Sequence, residues 1–145
     1  MYVSDVLKAK GAKVVTIPQS AGIDTAAKAL RDGKFGALPA VDSAGKMVGI
    51  ISERDIIRII GELGAKGLGL RVQDIMTKSL RTSRAANTIE EVMEQMARFN
   101  IRHVPIMDDA NNLVGLISQT DVIKYQLAEQ NDQVRVMKNL NIARN

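Results

Sequence analysis

Apolar residues recur along the chain with two alternating periods, and the order of those periods repeats. Ile23, Ala26, Ala27 and Leu30 fall at i, i+3, i+4 and i+7, the stripe of an amphipathic helix that opens near Asp24. Two apolar runs follow, Ala37 to Val41 and Met47 to Ser52, separated by DSAGK. They predict a hairpin with Gly45 at its tip and a further helix starting just after Ser52. The stripe returns at Ile89, Val92, Met93 and Met96, on a helix opening near Thr88. Behind it the same pair of runs flanks DDANN, where Asn supplies the tolerance for positive φ, and a last helix starts after Ser118. A short extended piece, Val14 to Ile17 and again Leu80 to Ser83, precedes each set.

The recurrence is an internal duplication. A shift of 66 aligns residues 37–60 with 103–126 without a gap, and nine of the 24 positions are identical, among them Pro39/Pro105, Gly49/Gly115, Ser52/Ser118 and Asp55/Asp121. Helical leader pieces, VSDVLK (3–8) and VQDIMT (72–77), are related by a shift of 69, so the first copy carries three extra residues around 11–13. The expected organisation is a first copy over 3–60, a glycine-rich connector over 61–71, a second copy over 72–127 and a basic C-terminal tail over 128–145. One copy of about 60 residues is marginal alone. Two copies packed sheet against sheet cover each other's bare faces around a pseudo-twofold axis, giving an α/β fold.

Composition narrows the chemistry. Apolar residues make up 46% of 145, but only four are aromatic, so the core is aliphatic. The absence of cysteine excludes disulfides, thiolate metal sites and thiol catalysis, and fits a reducing cytoplasm. No apolar run is long enough for a membrane span or a signal peptide, so a cytoplasmic protein is expected. The net charge of +4 is spread along the chain with acids between, except in the stretch after Gln133, VRVMKNLNIARN. Such a balance suits a solvated surface and suits anionic small ligands equally well.

The candidate chemistry lies in the duplicated Gly-x-x-Ser-x-x-Asp. Gly49 and Gly115 allow close approach to the backbone. Ser52 and Ser118 stand at helix starts, where free N–H groups attract an anion. Asp55 and Asp121 follow one turn later, where a carboxylate can accept hydrogen bonds from a ribose diol. The same spacing also serves a capping box, in which each aspartate only closes its own helix. Recurrence at matching positions, beside Arg54 and the Arg102–His103 pair, favours the nucleotide reading. His103 is the only histidine and has no second metal-binding partner, so it is either a structural hydrogen-bonder or a ligand contact.

VQDIMT (72–77), IRHVPI (101–106) and LVGLISQTD (113–121) together resemble a cystathionine-β-synthase (CBS) domain, and two in tandem resemble a Bateman module. The resemblance covers about residues 3 to 127 and implies a β-α-β-β-α unit twice over, with two clefts between the copies. It implies an adenosyl ligand in those clefts: AMP or ATP first, with NADH or S-adenosylmethionine as further candidates. The family's motif gives the aspartate to the ribose and the hydroxyl residue to the phosphate, which falls on Asp55 with Ser52 and on Asp121 with Ser118. Adenine contacts fall on Thr16 and Ile17 with Ala37 and Leu38, and on Thr82 and Ser83 with His103 and Val104. Arg102 and His103 would reach a phosphate from the opposite copy. Arg54, where the second copy has Thr120, makes the Asp55 site the expected better phosphate binder. The resemblance also implies a homodimer and an effector protein that reads it.

Three function classes follow. The leading one is a non-enzymatic adenosyl-nucleotide sensor. The alternatives are a protein-interaction scaffold that binds no nucleotide and a nucleic-acid binder, the latter disfavoured by scarce aromatics and no recognition motif. Catalysis is not expected, because neither copy offers a nucleophile with a base or a carboxylate cluster for Mg²⁺.

Overall fold

The computed structural model describes residues 1–11 and 13–144, with side chains described as far as Asp132. In chain order the elements are α1 (Val3–Lys10), β1 (Ile17–Pro18), α2 (Ile23–Gly33), β2 (Ala37–Val41), β3 (Met47–Ser52), α3 (Glu53–Leu63), a 3-10 helix over Gly64–Gly69, α4 (Val72–Ile75), α5 (Ile89–Phe99), β4 (His103–Met107), β5 (Leu113–Ser118) and α6 (Gln119–Arg144). The first sheet has order β1-β2-β3, with β1 parallel to β2 and β2 antiparallel to β3. The second is the hairpin β4-β5, joined by a single parallel bridge from Ser83 to Ile106. That bridge sits where Ile17 pairs with Ala40 in the first copy, so the duplication extends to the register.

Local sequence explains the hairpins. Asp42 Oδ1 accepts the N–H groups of Ala44 and Lys46, and Asp108 Oδ1 accepts those of Ala110 and Asn112. These Asx turns fix both loops. Positive φ then falls on Gly45 (80°) in one loop and on Asn111 (62°) in the other. Thr88 caps α5 in a capping box with Glu91. At α2 the expectation fails: the cap is Gly22, and Asp24 lies inside the first turn. The first extended pieces are also shorter than the apolar pattern predicts. Val14 to Thr16 stay outside β1, and of Leu80 to Ser83 only Ser83 pairs. The connector is largely helical, since α3 runs to Leu63 and the 3-10 helix follows. Gly67 is buried there against the Ile59 carbonyl, where a Cβ would come within 3.1 Å. α6 continues through position 128 as one helix to Arg144, and the side chains of the basic stretch lie outside the described residues.

The described residues form two aliphatic cores, and the leader helices are exchanged between them. Ile23, Leu38, Ile51 and Ile56 pack with Val72 and Met76, which precede the second copy. Val92, Val104, Ile106 and Ile117 pack with Val3 and Val6, which precede the first. Backbone bonds seal each exchange: Val72 N–H to Ala21 O (2.8 Å) and Ile23 N–H to Leu70 O (2.8 Å) on one side, Val3 N–H to Asn87 O (2.9 Å) and Ile89 N–H to Met1 O (3.1 Å) on the other. Each copy therefore completes its core with a segment from in front of its twin. The glycine faces of β3 and β5 receive these leaders. A Cβ on Gly49 would meet Met76 Sδ at 2.5 Å and Thr77 O at 3.0 Å, and one on Gly115 would run into Leu7.

Candidate functional site

Both duplicated motifs lie at a strand-to-helix junction. Ser52 is the N-cap of α3, and its N–H and Oγ–H both donate to Asp55 Oδ2 (2.9 and 3.0 Å), while Asp55 N–H returns to Ser52 Oγ (3.3 Å). Ser118 and Asp121 repeat the exchange at the start of α6, with 2.8 and 3.1 Å for the two backbone donors. Both aspartates thus serve as caps. Each side chain is largely buried, 9% exposed for Asp55 and 18% for Asp121.

Their remaining partners differ. Asp55 Oδ1 faces Arg58 of its own helix at 3.4 Å. Asp121 is met by Lys10 from the end of α1, whose Nζ lies 2.7 Å from Oδ2 and 2.7 Å from the Leu116 carbonyl oxygen. Burial alone would raise the Asp121 carboxyl. The hydrogen bonds from Lys10 and Ser118, with the Lys10 charge, outweigh it and hold the group below the usual carboxylate value.

Lys10 also lines a cleft of about 80 Å³ between the copies. Its walls come from Val14, Val15, Ala37 and Leu38 of the first copy and from Gly115 and Leu116 of the second. The chain thus brings the start of the first copy together with the aspartate motif of the second. Ala37 and Leu38 line this cleft, whereas Thr16 is exposed beside it in sequence and Ile17 is turned into the first core. In the second copy Thr82 is exposed, Val104 lies in the core, and Ser83 is buried with its Oγ 3.4 Å from Gln95 Oε1. Arg81, next to Thr82, stacks its guanidinium 3.8 Å from the Phe99 ring centroid.

His103 opens β4 beside Gly36, where a Cβ would stand 2.9 Å from Nε2. Its pKa is lowered to about 4, by burial first and then by Lys10, with Arg102 and Arg54 adding to the effect and Asp121 opposing it. The imidazole is therefore neutral at physiological pH. Arg54 and Arg102 line a second groove of about 370 Å³ between α5 and α6, with Met93, Ile101, Val122 and Gln119. Thr120 is exposed next to Gln119 at the start of α6. Among the described residues no group of three His, Asp or Glu could hold a metal ion.

Lys10 is the residue that reading the sequence misses. The signal was present: under the 69-residue shift it aligns with Ser79, a change of charge at a matched position.

Comparison with known proteins places this geometry. The CBS domain family matches twice, over residues 3–62 and 72–128. The chain belongs to the CBS-domain family. A CBS-domain protein from Agrobacterium tumefaciens superposes with a TM-score of 0.84 at 35% identity, over 86% of this chain and 92% of that one. The CBS domain pair of MJ0100, solved with 5′-methylthioadenosine and S-adenosyl-L-methionine, superposes at 0.79 with 28% identity, over 89% of this chain and 98% of that one. A homoserine O-acetyltransferase from Methanococcoides burtonii is 33% identical over 110 residues, 76% of this chain but only 22% of that enzyme. The CBS pair thus spans about a fifth of that curated relative. No helix among the described residues is long and apolar enough to cross a membrane.

Proposed function

We propose that this CBS pair is a regulatory, non-catalytic module that binds an adenosyl ligand, AMP or ATP foremost, in clefts between its two copies. The observation that carries the reading is the duplicated Ser-x-x-Asp at two strand-to-helix junctions, with Asp121 bonded by Lys10, which lines a cleft walled by both copies. Asp55 and Asp121 hold ribose hydroxyls, Ser52 and Ser118 stand by the phosphate, and Ala37 and Leu38 contribute to the adenine wall. The residue set fits such a ligand chemically: among the described residues Asp121 takes hydrogen bonds only on Oδ2, leaving Oδ1 able to accept from a diol. The compounds in complex with the MJ0100 pair, 5′-methylthioadenosine and S-adenosyl-L-methionine, are of the same chemical class.

Binding spreads the cleft and shifts the packing of one copy on the other, so occupancy reaches a partner through that change. Ile57 and Ile123 occupy matching places on α3 and α6 and are 70% and 50% exposed. These side chains support a homodimer through the helical face. A second reading, a scaffold binding no nucleotide, draws on the capping role both aspartates already fill.

A thermal-shift panel with AMP, ATP, NADH, S-adenosylmethionine and GTP separates the two. Ligand at about 100 times its dissociation constant adds about 2.7 kcal/mol, a rise of about 5–10 °C for this size. A shift with an adenosyl compound that Asp55→Asn or Asp121→Asn abolishes supports the sensor. No shift with any compound, on folded protein stripped of carried-over ligand, supports the scaffold.

A further inference from the structure

The two copies differ at one place where their duplication predicts identity. In the first copy, Ile50 exchanges both backbone hydrogen bonds with Thr77, at 3.0 and 2.9 Å. The matching strand residue of the second copy is Leu116, and the residue matching Thr77 is Lys8. Lys8 is still helical, because α1 runs to Lys10 whereas α4 stops at Ile75. The Leu116 carbonyl is instead bonded by the Lys10 ammonium, which donates to Asp121 at the same time. At the corresponding position before the second copy stands Ser79, without charge.

An ammonium thus holds Oδ2 of the carboxylate that a ribose would use and leaves only Oδ1 for the diol. The cleft of about 80 Å³ beside it has room for about two or three waters. Pockets for small molecules begin at about 300 Å³. A ligand that reaches Asp121 must therefore move Lys10, and the cost depends on what the ligand offers in return. A neutral nucleoside takes the carboxylate and leaves the ammonium without its counter-ion. A ligand carrying a phosphate supplies a new anion to Lys10, and to Lys13, which lines the same cleft.

We infer that Lys10 is a specificity-determining residue of the Asp121 cleft, selecting phosphorylated nucleosides over neutral ones by exchanging Asp121 for the ligand's phosphate. The inference rests on the adenosyl reading above and deepens it. The Asp55 motif has Ser79 at the matching position of its leader sequence and lacks this device.

Isothermal titration with AMP and with adenosine tests it, in an Asp55→Asn background so that the heat reports the Asp121 cleft. AMP is expected to bind about tenfold or more tighter than adenosine. Lys10→Met weakens AMP, strengthens adenosine and brings the ratio close to one, while Lys10→Arg keeps the preference for AMP. If both compounds bind and Lys10→Met leaves their ratio unchanged, Lys10 is not the discriminator and the adenosyl reading still stands. A Lys10→Met effect that persists in full after Asp121→Asn also overturns the exchange. If neither compound binds any of these proteins, the adenosyl reading fails and the role of Lys10 falls with it.

Discussion

Mild acid should destabilise this protein through one ring. His103 lies mostly out of water, backed by Gly36 and surrounded by Lys10, Arg102 and Arg54, and its pKa is lowered from 6.5 to about 4. In the unfolded chain the imidazole protonates at its ordinary value, so between those two values the unfolded state binds more protons than the folded one. Stability is therefore complete above the unfolded pKa and declines as pH falls from about 6.5 towards 4. Linkage gives a loss of about 2 kcal/mol by about pH 5, and about 3 kcal/mol once both states are protonated. Asp121, held below its usual value, loses its own contribution only at lower pH, as its unfolded carboxyl protonates near 3.8. Urea unfolding at about pH 7.5 and about pH 5, on wild type and His103→Gln, reads the difference. Wild type should lose about 2 kcal/mol more than the variant over that interval. Equal losses in both would refute the reasoning, since they mean that the native ring takes up its proton as freely as the unfolded one.

Further outcomes follow from the same contacts. Ile117→Ala, at a fully buried position of the second core, should cost about 2–5 kcal/mol in chemical denaturation, whereas Ile57→Ala on the open face of α3 should be near neutral in the monomer. Gly49→Val should unfold the contact with Met76 and Thr77 and destabilise by more than about 2 kcal/mol, read as a drop in Tm, because the Thr77 oxygen is backbone and cannot move aside. Asp55→Ala removes a cap as well as the proposed ribose contact, so it should cost about 1 kcal/mol even without nucleotide. Ile57→Glu combined with Ile123→Glu should turn a homodimer into a monomer by light scattering; an unchanged mass would move the dimer contact elsewhere.

Much of this fold is legible because its signals are local. Hairpin turns declare themselves through Asp42 with Gly45 and Asp108 with Asn111, and the helix starts through Ser52, Thr88 and Ser118. What the sequence hides is which copy a leader belongs to. Val3 and Val6 announce an apolar face, but periodicity is silent about whether that face covers the first sheet or the second, and the chain crosses over. Val14 to Thr16 look like a strand by composition, yet Val14 and Val15 line the cleft and pairing begins only at Ile17. Asp24 is a good capping residue by type, but the backbone bond from Ile23 to Leu70 starts the helix at Ile23 and puts the cap at Gly22, two residues before Asp24. The candidate site divides in the same way. Its aspartates stand out because they are duplicated, whereas Lys10 becomes visible only once α1 is seen against β5.

Under the proposed function the inter-copy clefts take an adenosyl ligand through Asp55 and Asp121. A crystal structure of the protein grown with saturating AMP tests it most directly. Nucleotide is expected with its ribose hydroxyls on one of these carboxylates and, at Asp121, with Lys10 turned from the carboxylate to the phosphate. AMP bound away from both aspartates would contradict it.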